Sequence, residues 1–135
     1  MSTNLKIAIA EPSVIIRSGL ENLLKRLPGF RIQMVEIHSV ESLFDSLRMH
    51  KPDVLIVNPA LPGYFTLQHL KEESGCAEMK CIALLYSVSD SVLLRSYDEQ
   101  INIYDSADEI KHKLERLNAR YFRMTSRKGM TSNNR

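Results

Sequence analysis

The sequence predicts an α/β fold: a doubly wound, five-stranded parallel sheet with helices on both faces. Three observations carry this. Five short apolar runs alternate, along 135 residues, with stretches whose apolar residues recur every three or four positions, the order that builds a parallel sheet through right-handed crossovers. One run, Val54-Leu55-Ile56-Val57, is apolar without interruption, as in a central strand covered on both faces. The breaks between runs leave connections of about two to six residues, the usual lengths for such units.

Each element follows in order. Lys6–Ala10 reads as the first strand, stopped by Glu11-Pro12-Ser13. Val14–Leu27 reads as a helix, with Ile16, Leu20, Leu23, Leu24 and Leu27 on one stripe, Ser13 as its N-cap and Pro28-Gly29 as its stop. Phe30–Ile37 alternates as a second strand. Ser39 is the expected cap of a second helix carrying Val40, Leu43, Phe44 and Leu47 up to Lys51-Pro52. Asp53–Asn58 is the third strand, followed by a loop that Pro59 and Pro62 shape. A third helix is expected from near Phe65, with Leu67 and Leu70. Lys80–Leu85 is the fourth strand. Ser89-Asp90 is the expected cap of a fourth helix running through Val92, Leu93, Leu94 and Tyr97. Ile101–Tyr104 is the fifth strand, and Ser106 caps a last helix with Ile110, Leu114, Leu117 and Tyr121 on its stripe. From about Thr125 the apolar periodicity ends, so a loose tail or linker is expected.

The length fits one domain with one core. We divide the chain into a folded region, residues 1–123, and a basic polar tail, 124–135, which would begin a linker. No apolar run approaches the ~20 residues of a membrane span, and Met1–Lys6 lacks the apolar core of a secretory signal. A cytoplasmic protein away from membranes is therefore expected. Cys76 and Cys81 are the only cysteines; Cys81, in a buried strand, is expected to be a core thiol. His38, His50, His69 and His112 show no ligand spacing and are expected at the surface, so no metal site is predicted. Charge is uneven. Residues 111–135 hold eight basic residues against Glu115 alone, a net +7, while the remaining ten basic and fifteen acidic residues leave −5, together the +2 of the chain.

Open α/β sheets place their chemistry beyond the carboxyl ends of the strands. Here those ends supply Glu11-Pro12, Asn58, Tyr86-Ser87 and Tyr104-Asp105. Asn58 is central. An Asp there could attack phosphorus, but a neutral amide has no anionic oxygen to do so. Read from the residues alone, Asn58 ends its strand by bonding loop amides, or holds one conformation permanently. Glu11 is expected to be a solvated carboxylate rather than a metal ligand. Tyr86 and Ser87 are expected to make ordinary strand-end hydrogen bonds.

Residues 5–117 resemble the receiver domain of bacterial response regulators. Glu11–Leu20 looks like the first turn and helix of the subfamily that carries a LuxR-type helix-turn-helix. Pro52–Gly63, above all Leu61-Pro62-Gly63, looks like the phosphoacceptor strand and its loop, and Ser106–Ile110 resembles the start of the last receiver helix. The resemblance implies the flavodoxin-like strand order 2-1-3-4-5. It also implies an acidic pair that binds Mg²⁺, an acceptor Asp, a Ser or Thr after strand four and a Lys after strand five. This chain departs from that set. The acidic pair is reduced to Glu11 with Pro12 beside it; the acceptor position holds Asn58; the lysine position falls on Ile103. The switch hydroxyl is Ser87, or Tyr86 in the adjacent register. Weak or absent Mg²⁺ binding, no other cofactor and no phosphorylation follow, because one carboxylate is a poor magnesium site and phosphoryl transfer needs cations.

The function this implies is not enzymatic. It is that of a degenerate receiver working through protein contacts, such as an upstream sensor kinase or a second copy of itself, with DNA reached only through an output domain outside this chain. Two other readings stand beside it. A flavodoxin-like enzyme, or a small-ligand or flavin-binding protein of the same architecture, would need a Gly/Ser/Thr-rich phosphate loop after strand one, where this chain has Glu11-Pro12-Ser13-Val14-Ile15. A nucleic-acid binder would use the basic end, where Arg116, Arg120 and Arg123 share helical spacing beside Tyr121 and Phe122.

Overall fold

The computed structural model describes residues 3–37, 39, 41–59, 66–87 and 95–130, with side chains as far as Asn118. Strands β1 (Thr3–Ala10), β2 (Phe30–Glu36), β3 (Val54–Val57), β4 (Lys80–Leu85) and β5 (Glu99–Asn102) form one sheet. Its order is β2-β1-β3-β4-β5, with every pairing parallel. Helices α1 (Val14–Lys25), α2 (Leu43–His50), α3 (Leu67–Ser74) and α4 (Ala107–Met130) complete the described elements.

Alternation along the strands divides the interior in two. Ile7, Ile9, Val54, Ile56, Ile82 and Leu84 point to one face, where Leu20 and Leu24 of α1 and Ile110, Leu114 and Leu117 of α4 cover them. Ala8, Ala10, Leu55, Val57 and Cys81 point to the other, against Leu43 and Leu47 of α2 and Leu67 and Leu70 of α3. Both faces of β3 are thus dry, which is why its sequence is apolar throughout. Cys81 is buried, and burial pushes its thiol up to about 12, so it is a core residue without thiolate reactivity.

Local signals place the helix ends. Ser13 Oγ accepts from Ile16 N at 3.3 Å and caps α1. Thr66 Oγ1 accepts from His69 N at 3.1 Å and caps α3, which stops at Gly75 with φ 72°. Ser106 and Glu109 form a reciprocal capping box: Glu109 N donates to Ser106 Oγ at 3.1 Å, and Ser106 N to Glu109 Oε1 at 2.7 Å.

Several boundaries differ from the sequence reading: β1 begins at Thr3 rather than Lys6, α1 ends at Lys25 rather than Leu27, and β2 and β3 are shortened to Phe30–Glu36 and Val54–Val57. The fifth strand is Glu99–Asn102, two residues earlier than Ile101–Tyr104. Asn102 Oδ1 accepts from Tyr104 N at 2.9 Å, and Asp105 Oδ2 accepts from Asn102 N at 3.1 Å; these bonds close a turn where alternation suggested more strand. The second helix starts at Leu43, because Ser39 and Ser42 bond each other's backbone in a turn before it; Val40 lies outside the described residues. α3 starts at Leu67, with Phe65 outside them too. α4 continues to Met130, past the Thr125 at which periodicity ended it. Periodicity reports a buried face and is silent about a helix that continues without one. Most of the expected fourth helix, residues 88–94, lies outside the described residues, and Tyr97, its expected last stripe residue, is in a bend rather than a helix. The Leu61-Pro62-Gly63 loop also lies outside them.

Ile56 is fully buried between β1 and β4. Ile56→Ala is expected to cost about 2–5 kcal/mol, read as a lower urea midpoint at unchanged slope. A change under about 0.5 kcal/mol would contradict the packing described.

Candidate functional site

The strand order reverses between β1 and β3, so their carboxyl ends lie side by side at the topological switch point. Glu11 leaves β1 there and Asn58 leaves β3, with Asn58 N donating to Ala10 O at 3.1 Å. Tyr86 leaves β4 next to them.

Glu11 is not solvated, contrary to the expectation from sequence. It is 2% exposed, the one buried charged side chain among the described residues. Leaving such a carboxylate without donors would cost several kcal/mol. Three donors meet it. Asn58 Nδ2 donates to Oε1 at 3.2 Å. Ser13 N donates to Oε2 at 2.7 Å, and the Tyr86 hydroxyl donates to the same oxygen in a short hydrogen bond. Asn58 also bonds the Tyr86 side chain. Positive potential lies close by. The N-terminus of α1 follows two residues later, and Arg17 Nη1 donates to the main-chain oxygen of Glu11 at 2.9 Å. Partial burial, then the bond to Glu11 and its charge, push the Tyr86 phenol above its ordinary value near 10, while the Asn58 bond acts the other way.

The structure therefore brings together Glu11, Asn58 and Tyr86. Pro12 is exposed and offers no side-chain oxygen. Ser87 is exposed, and the hydroxyl that reaches Glu11 is that of Tyr86. Ile103 is 36% exposed, its N donating to Leu85 O at 2.9 Å. Lys113 Nζ bonds Asp105 Oδ2 at 2.6 Å, beyond the end of β5. His50, His69 and His112 are exposed, and among the described residues no three His, Cys, Asp or Glu side chains gather. Sequence reasoning missed the Tyr86–Glu11 bond. Its signal was the first polar residue after β4, but the two lie 75 positions apart.

No family model matches the chain. A curated protein of Desulfotalea psychrophila (strain LSv54 / DSM 12343), a protein-glutamate methylesterase/protein-glutamine glutaminase, is 28% identical over 72 residues, 51% of this chain and 20% of that protein. The chain thus spans about a fifth of the length of the curated relative it matches, given that 20% share. Among solved structures, a LuxR-family two-component response regulator from Aurantimonas sp. SI85-9A1 superposes with a TM-score of 0.69 at 17% identity, covering 87% of this chain and 86% of that one. A chain in the complex of the P1 domain of CheA3 with CheY6 from R. sphaeroides superposes with a TM-score of 0.70 at 13% identity, covering 87% and 99%. The chain has the fold of the response-regulator receiver domain. None of its described helices is long and apolar enough to cross a membrane.

A phenol held protonated by this site has a defined pH signature. Its folded value is raised, so its contribution to stability is complete below the unfolded value and is lost as pH rises through the folded one. Tyr86→Phe is expected to lower stability by about 1 kcal/mol at neutral pH. The gap should close above pH ~10, and an ultraviolet difference titration against the variant should show one tyrosine ionising late. An unshifted phenol would refute the bond.

Proposed function

We propose that this chain is the regulatory receiver domain of a two-component response regulator that has given up phosphorylation and signals through protein contacts. It is regulatory rather than catalytic, works in the cytoplasm, and controls transcription through a LuxR-type DNA-binding domain outside this chain. The observation that carries this is the closed Glu11 carboxylate: both oxygens are taken by Asn58, Ser13 and Tyr86.

The residues present do not fit Mg²⁺. That ion wants several hard oxygens in octahedral array, whereas here a single buried carboxylate faces amide, hydroxyl and backbone donors, with Pro12 alongside. Asn58 cannot carry an acyl phosphate. Its Nδ2 donates to Glu11, so the amide belongs to the local bonding rather than to a vacant acceptor site. The protein-contact reading rests on the surface around this site. Val14 and Ile15 open α1 at 61% and 84% exposure, and Tyr104 follows β5 at 81%. Large apolar groups ringing a strand-end site fit a protein surface better than a small charged substrate. The partners are an upstream regulator such as a sensor kinase, or a second copy of the chain.

Incubation with acetyl phosphate and Mg²⁺, followed by intact-mass measurement, is expected to show no phosphoryl adduct. A stable adduct lost on changing Asn58 would overturn the proposal. Asn58→Asp replaces a donor to Glu11 with a second carboxylate at about the 3.2 Å of the present bond. It should destabilise the fold by about 1–3 kcal/mol at neutral pH and still yield no efficient phosphorylation.

A further inference from the structure

The opposite end of the sheet holds a cavity of about 510 Å³, a volume typical of small-molecule sites. It lies beneath the amino ends of β1, β3 and β4, where α4 passes over them. Its floor is apolar: Pro52, Val54, Met79, Leu114 and Leu117 line it and are all buried. Val54, Leu114 and Leu117 belong to the core half under α1 and α4, and Met79 to the half under α2 and α3. The cavity therefore opens at the seam between the two, and its rim is polar.

The charges on that rim are not equivalent. Lys51 Nζ is bound to the carbonyls of Ser74 and Gly75 at 3.0 and 3.4 Å, at the end of α3. Asp53 Oδ2 accepts from Lys6 N at 2.8 Å. Both are committed to holding the rim together. Glu78 is exposed to water. Lys80 differs: it is half-buried, and its ammonium has no hydrogen-bond or ion-pair partner among the described residues. It pairs with Val54 across the sheet and stands two residues before Ile82, so it faces the α4 side, over the apolar floor. A half-buried ammonium without a counter-charge is where an incoming anion gains most, because screening by water is reduced there.

The geometry points to a binding site for a small molecule with an apolar, ring-sized body and one anionic group, the body on the Val54–Leu117 floor and the anion at Lys80. The site is separate from the Glu11 cluster and does not depend on how that cluster is read.

Two fluorescent probes of matched shape test it: anionic 8-anilinonaphthalene-1-sulfonate and neutral N-phenyl-1-naphthylamine. Both are expected to bind one-to-one. Ala77→Trp, at an exposed rim position, should abolish both by filling the mouth. Lys80→Gln should weaken the sulfonate about tenfold and spare the neutral probe. On the unaltered protein, amide shifts on adding the sulfonate should cluster at residues 3–5, 52–54 and 76–80. No one-to-one binding, binding indifferent to Ala77→Trp, or shifts centred elsewhere would overturn the site. An equal effect of Lys80→Gln on both probes, or none on either, would overturn the anionic ligand. Should Ala77→Trp fail to unfold cooperatively, the shift map decides.

Discussion

Burying a carboxylate is costly unless donors are brought to it, and the donors that meet Glu11 come from three separate segments. One is its own turn, through Ser13 N; one is the end of β3, through Asn58; one is the end of β4, through Tyr86. They converge only when β1, β3 and β4 lie next to one another in that order. The interaction is thus both a product of the topology and a constraint on it. A chain with these strands in another order would leave a carboxylate in a dry interior. The same turn delivers Ser13 as the cap of α1, so the bond that settles Glu11 also fixes where that helix begins.

The two ends of the sheet divide the labour. At the carboxyl end, the Glu11 carboxylate is turned inward and satisfied, while Ile15 and Tyr104 are turned out. At the amino end the reverse holds. Lys51 and Asp53 are bonded to backbone around the rim, and apolar side chains form the floor of a cavity. Lys51 adopts a left-handed conformation, φ 48°, to reach its carbonyls, and a Cβ on Gly75 would come within 2.7 Å of its Nζ. The flexible Lys51 chain could move aside from a Cβ, so it is the φ of 72° that requires glycine there.

What the sequence discloses depends on how local the cause is. Strand β4 could be read to the residue, because Lys80–Leu85 is apolar after its first position and flanked by turn formers. The caps Ser13 and Ser106 were equally legible, since each acts on an amide three residues on. Strand β5 was misplaced because only Ile101 of its four residues is buried, and Ile103 and Tyr104 imitate a strand while sitting in a turn. At the site, the positions of Glu11, Asn58 and Tyr86 at strand ends were legible, but the burial of Glu11 was not. Its partners lie 47 and 75 residues away, and no local pattern says which strand ends will be neighbours. The choice between Tyr86 and Ser87 was open for the same reason: a one-residue register change swaps which side chain points into the cluster.

The identities of the three residues constrain one another. With Glu11 turned inward as the acceptor, its neighbour on β3 must donate. Asn does so with the same shape as Asp, which would set a second negative charge against the first. Tyr86 supplies a further donor from the end of β4, its hydroxyl reaching Glu11 Oε2. Pro12 fits the same arrangement. It leaves Glu11 as the sole carboxylate of the turn, so there is no second anion to repel it or to draw a cation in. Asp in place of Asn58 would remove the donor to Glu11 Oε1 and set a second carboxylate beside it. The cluster is therefore held by a carboxylate whose oxygens are already engaged.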